Sequence, residues 1–154
     1  MSASAGRVPA LSHAHHGGCH CGNVRWTLTT RLGAAQLPVR ACQCTFCRRH
    51  GALTSSDPAG TLGFAVQDPV ALLRYRFATG TAEFLLCARC GVYVGAVMKE
   101  DGRRFGIVNL NSLDARADLT PVPEAMDYSA EDATARRLRR RVRWTPMVDD
   151  EGSG

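Results

Sequence analysis

The seven cysteines fall in three groups, and none lies outside them: Cys19-His20-Cys21, Cys42-Gln43-Cys44-Thr45-Phe46-Cys47, and Cys87-Ala88-Arg89-Cys90. Two sulfurs this close in sequence can reach one ion when a tight turn brings them to the same side, and zinc takes thiolates in a tetrahedral shell. Gly22 and Gly91, directly after the first and third groups, supply the backbone freedom that such turns use. An odd cysteine count, with no apolar stretch of secretory-signal length in residues 1–11, points away from a disulfide framework and towards metal in a reducing compartment. The cytoplasm is the expected location.

Seven ligands divide unequally. A closed structural zinc site takes four thiolates, and the remaining three leave an exchangeable position of the kind catalytic zinc sites keep. Cys42, Cys44 and Cys47 are the natural set of three because they are contiguous, which pairs Cys19 and Cys21 with the distant Cys87 and Cys90. One alternative stays open on spacing: His50, three residues after Cys47, can cap the triplet and close both sites. His20 points away from its neighbours by alternation. The spacings lack the usual ferredoxin run, so iron–sulfur ligation is not the expectation.

The elements that must position these groups are mostly strands. Val24, Trp26 and Leu28 alternate with Arg25, Thr27 and Thr29, a period of two with one apolar face. Residues 62–66 form a short apolar run, residues 70–77 and 81–86 read as a hairpin turning at Thr79 and Gly80, and residues 92–98 and 105–110 as a pair joined by Asp101 and Gly102. Towards the C-terminus Ser129 and Asp132 resemble a capping box, and Ala135, Leu138 and Val142 recur at helical spacing, which predicts a short amphipathic helix packed through that stripe.

The chain has 154 residues, enough for one domain, with no apolar run long enough to span a membrane. Residues 1–16, including His13, His15 and His16, read as a flexible tail, 17–146 as the zinc domain and 147–154 as a second tail. The formal charge of +5 becomes −1 without the six arginines at 136, 137, 139, 140, 141 and 143. That local cluster reads as a solvated helix face with some packing and pairing, so nucleic acid is not the expected partner. Arg25, Arg48 and Arg49 are the candidate anion binders nearest the cysteine groups, ahead of Arg103 and Arg104.

Gly17 to Arg25 with Cys19 and Cys21, the triplet followed by Arg48 to Ala52, residues 84–91 with Cys87 and Cys90, and residues 107–114 together resemble the glutathione-dependent formaldehyde-activating enzyme family, whose domain is shared with centromere protein V. The resemblance implies a mainly β fold, a β-tent of coiled antiparallel sheets related to zinc-bearing Rab-exchange-type proteins. It implies two zinc ions, a structural one on Cys19, Cys21, Cys87 and Cys90 and a catalytic one on Cys42, Cys44 and Cys47. It also implies a carbon–sulfur lyase that combines glutathione, as co-substrate, with formaldehyde into S-hydroxymethylglutathione.

The chemistry is consistent with the ligands. Zinc with an open position lowers the pKa of an incoming thiol, so a thiolate is available at neutral pH to attack an aldehyde carbon. Three protein thiolates leave the centre at net −1, which suits thiol exchange better than activation of water. The expected partners are therefore a small-molecule thiol and an aldehyde, with no membrane. The sequence sets no oligomeric state. The competing reading is a non-catalytic zinc-stabilised module that binds nucleic acid or a protein, with both ions structural.

Overall fold

The computed structural model describes residues 10–148. A smaller sheet contains β1 (His13–Gly18), β2 (Val24–Thr30) and, further along, β5 (Thr61–Val66), with β2 in the middle. The larger sheet is built from β3 (Arg40–Cys42), β4 (Thr54–Ser55), β6 (Leu72–Tyr75), β7 (Glu83–Cys87), β8 (Tyr93–Glu100), β9 (Arg103–Asn109) and β10 (Glu124–Met126). Its order is β10-β3-β4-β9-β8-β7-β6, and β11 (Thr145–Pro146) adds to β9. Pairing is antiparallel except between β10 and β3. The helices are α1 (Thr45–His50) and α2 (Ala133–Arg143). The chain is thus mainly β with a short C-terminal helix, as expected. Among the described residues no helix is long and apolar enough to cross a membrane.

The alternation in β2 does what its period requires. Val24, Trp26 and Leu28 are buried and stand opposite Val66, Phe64 and Leu62 of β5. This face packs on Leu85, Val94 and Val108 of the larger sheet, forming the main core between the sheets. A second core lies on the other face of the larger sheet, where Phe84, Tyr93, Ala96, Met98 and Phe105 meet Trp144. Both faces of β8 are therefore covered, and Tyr93 to Ala96 are buried without interruption.

A bulge links the two cores. Leu85 of β7 pairs with Gly95, but Leu86 pairs with Tyr93, so Val94 is the extra residue. An extra residue reverses which face the following side chains take. Tyr93 consequently joins Ala96 and Met98 in the second core, while Val94 stays in the first.

Three expectations need correction. His13 to His16 belong to β1, paired with Thr30 to Thr27, and are not a tail. His15 Nε2 is hydrogen-bonded to Leu32 O (2.8 Å) and His16 Nδ1 to Thr27 Oγ1 (3.2 Å), pairings that local sequence does not reveal. At the other end Met147 and Val148 are tied by backbone hydrogen bonds to Arg104 and Leu62. The remaining parts of the two expected tails, 1–9 and 149–154, lie outside the described residues.

The third correction concerns α2. Its N-cap is Asp132, whose side chain accepts from Ala135 N (2.8 Å), whereas Ser129 N donates to Asp127 Oδ1 (2.9 Å). The apolar stripe faces outward: Leu138 and Val142 are 52% and 55% exposed, while Arg140 is only 8% exposed. Arg136, Arg139, Arg140 and Arg143 have the same helical period as the apolar stripe, so periodicity cannot choose between the two faces. Flat aromatic partners and a carboxylate decide it. The Arg139 guanidinium lies 3.5 Å from the Tyr128 ring centre and that of Arg140 4.8 Å from Trp144, and Glu131 pairs with Arg136 and Arg139.

Candidate metal centre

Cys19 and Cys21 follow β1 directly, and Cys87 and Cys90 bracket the turn between β7 and β8. Gly22 and Gly91 both take positive φ, 84° and 78°, a region that favours glycine, and each closes the turn behind its cysteine pair. Gly22 N donates to Cys19 O (3.3 Å) and Gly91 N to Cys87 O (2.8 Å). The four Sγ atoms lie within 4.8 Å of one another. Tetrahedral zinc with bonds of about 2.3 Å sets its sulfurs about 3.8 Å apart. Cys19 and Cys21 at 3.7 Å, and Cys21 and Cys87 at 3.5 Å, are close to that spacing, so the residues fit the ion.

The second group is local. Cys42 ends β3, Cys44 is the N-cap of α1, and Cys47 sits one turn into that helix, so a strand end and one helical turn bring the three sulfurs together. Their Sγ atoms also lie within 4.8 Å of one another, and Cys47 N donates to Cys44 Sγ (3.4 Å). α1 is an element that period-two reading misses, because only six residues form it.

Three thiols in such contact cannot all ionise without a cation among them. Hydrogen bonds from Cys42 and then Cys47 pull Cys44 down to about 2. Cys47 is pushed far up by Cys42, Cys44 and burial, and Cys42 is raised chiefly through its bond to Cys44. A divalent ion relieves that competition, and the all-sulfur donor set suits zinc. The chain thus presents clusters of four and three cysteines, each able to hold zinc.

His50 does not join the triplet. Its ring packs 4.6 Å from Phe46 and 5.4 Å from Tyr93, centre to centre, and no histidine belongs to either sulfur group among the described residues. His20 likewise stays outside the four-cysteine group. Beneath the triplet lies an aromatic cluster in which Phe46 contacts Tyr75, Phe77, Phe84 and Tyr93. The Tyr93 hydroxyl is fully buried with no hydrogen-bond partner among the described residues, and its pKa is raised well above the ordinary value, first by burial and then by the three cysteines.

A cavity of about 530 Å³ opens beside the triplet, with Cys42, Cys44 and Cys47 in its lining. Phe77, Phe84 and Trp144 form apolar wall, and five arginines, Arg40, Arg136, Arg139, Arg140 and Arg143, line the remainder with Asp127 and Tyr128. The arginines singled out from sequence are elsewhere. Arg25 pairs with Asp114, and Arg48 and Arg49 are exposed on α1 outside the cavity lining. Proximity in sequence does not find the arginines that line the cavity. The spacing 136, 139, 140, 143, one stripe of a helix, is the signal that groups four of them.

These features define a class of two-sheet β-protein with one thiol cluster joining distant segments and another, local, facing a cavity. Residues 14–129 match the glutathione-dependent formaldehyde-activating enzyme family, and the chain belongs to that family. It is also similar to a Rhodobacter sphaeroides protein of known crystal structure, with 31% sequence identity and a TM-score of 0.54 over 72% of this chain and 99% of that one. The family segment holds all seven cysteines and ends before α2.

Proposed function

We propose that the protein is a zinc-dependent carbon–sulfur lyase that forms and cleaves thiol–aldehyde adducts, with glutathione and formaldehyde, giving S-hydroxymethylglutathione, as the leading pair. One observation carries this reading: the triplet offers three thiols and, among the described residues, no fourth metal-binding side chain, and it opens onto a cavity of a size that takes a small ligand. Cys42, Cys44 and Cys47 would hold the catalytic ion, and Cys19, Cys21, Cys87 and Cys90 the structural one. When bound at the triplet, zinc supplies a Lewis acid that keeps an incoming thiol as its thiolate.

In the overall reaction the thiol gives up its proton, sulfur bonds to the aldehyde carbon, and the carbonyl oxygen gains a proton as its π bond opens. The reverse reaction breaks that carbon–sulfur bond. Of the chain's own residues, the end of β3 and the first turn of α1 fix the three sulfurs together, and Phe77, Phe84 and Trp144 keep water from part of the cavity. The arginines make the cavity positive, which favours an anionic sulfur over a neutral one.

Cobalt in place of zinc reports on this site through its thiolate absorption bands. Millimolar glutathione should change those bands in the full chain and leave them unchanged in Cys44→Ser. An unchanged spectrum in the parent protein would remove the reading.

A further inference from the structure

α2 turns its charged side inward. Arg136, Arg139, Arg140 and Arg143 share one stripe of the helix and all line the cavity that contains the triplet. Taking a guanidinium out of water is unfavourable unless an anion faces it. Glu131 fills that role for Arg136 and Arg139, with Nε of Arg139 2.8 Å from its carboxylate. Among the described residues no carboxylate pairs with Arg40, Arg140 or Arg143. Arg140 donates from Nη1 to the hydroxyl of Thr81 (2.6 Å) and lies over Trp144, both neutral, and its buried Nε makes no hydrogen bond among the described residues. The Arg40 guanidinium donates to the hydroxyl of Ser56 (2.9 Å), its one side-chain hydrogen bond among the described residues. Asp127, the acidic residue of the lining, is engaged by Ser129 N.

We infer that this wall is a carboxylate subsite, in which Arg140 and Arg40, with Arg143 beside them, hold a carboxylate of the thiol–aldehyde adduct whose sulfur is bound at the triplet. The inference rests on the reading given under Proposed function and adds what selects the substrate. A planar guanidinium matches a carboxylate in two parallel hydrogen bonds, and three cations in one cavity that no carboxylate of the described residues touches, with Glu124 and Glu131 acting on Arg40 and Arg140 only at longer range, leave room for such a group. Arg140 and Arg143 lie on α2, after the segment that matches the family, whereas Arg40 lies within that segment on β3, so the subsite joins the helix to the metal-binding scaffold. The carboxylate can be carried by the thiol or by the aldehyde, and the same arginines would recognise either.

The test uses the full chain with cobalt at the metal sites. In the first arm the absorption bands are titrated with glutathione and with its diamide, which keeps the thiol and lacks the carboxylates. Glutathione should bind about 10- to 100-fold more tightly. That ratio should fall towards one in Arg140→Gln, in Arg40→Gln and in Arg143→Gln. Arg143 is exposed, so its variant serves if loss of Arg140 unfolds α2. In the second arm the diamide is held constant and formaldehyde is compared with glyoxylate. A preference for glyoxylate that vanishes in the same variants assigns the subsite to the aldehyde's carboxylate. Ratios near one in both arms, or ratios that survive all three substitutions, overturn the inference while thiol binding stands. No response to either thiol overturns the parent reading and the subsite together.

Discussion

The two cysteine clusters use the same chemical group and differ in how the chain delivers it. The four-cysteine cluster joins segments 66 residues apart between Cys21 and Cys87, and ties the end of β1 to the turn between β7 and β8. The triplet comes from six consecutive residues and ties nothing distant together. Its sulfurs instead border a cavity. Ligands drawn from far apart stabilise the fold, since metal binding there is also folding free energy. Ligands drawn from one short stretch leave the scaffold less dependent on the ion.

The sharpest way to break this contrast is Cys87→Ser. It should cost more than about 5 kcal/mol and abolish the cooperative thermal transition, because it removes a buried ligand of the cross-linking cluster. Metal analysis and calorimetry on the same sample check this. Trp144→Ala comes next, at about 3–5 kcal/mol for emptying a buried aromatic site. Its damage should stay on the cavity side, so hydrogen exchange should quicken in α2 and β11 while β2 and β5 keep their protection.

Glu131→Gln is smaller. Burial alone would raise the Glu131 carboxyl, but Arg139 and then Arg136 outweigh it and hold the group below the usual carboxylate range. A carboxyl lowered by folding contributes stability above its unfolded pKa of about 4.3, and that contribution disappears as pH falls through the folded value. The variant should therefore lose about 1–2 kcal/mol at neutral pH and converge with the parent in acid, as read by urea denaturation at several pH values. Least affected in stability should be Cys44→Ser, by less than about 1 kcal/mol, since the triplet joins no distant segments. The same variant should lose thiol coordination entirely. Equal destabilisation by Cys44→Ser and Cys87→Ser would erase the distinction between the clusters.

Much of this was legible in the sequence. Cysteine spacing divides the seven ligands into the two groups that the fold brings together, because local turns and glycines set most of that geometry. Alternation locates β2 and the β8–β9 pair for the same reason. The arginine wall was not legible. Ala135, Leu138 and Val142 suggest the buried side of α2, but Tyr128, Glu131 and Trp144 reverse it, and only tertiary contact decides between two stripes of equal period. Arg40 escapes sequence reading altogether, since the parallel pairing of β3 with β10 brings its environment from 84 residues away, opposite Glu124. β1 and α1 are missed because histidines and cysteines carry little propensity signal over six residues.

The spacing of the ligands also sets a timetable for a chain growing from its N-terminus. Residues 42–47 can capture an ion as soon as they emerge, whereas the other cluster must wait until Cys90 has been made and a long loop has closed. Metal supplied during synthesis would then reach the three-cysteine cluster before the four-cysteine one. A shortage late in translation would leave a nascent chain with its local cluster filled and its long-range link still open.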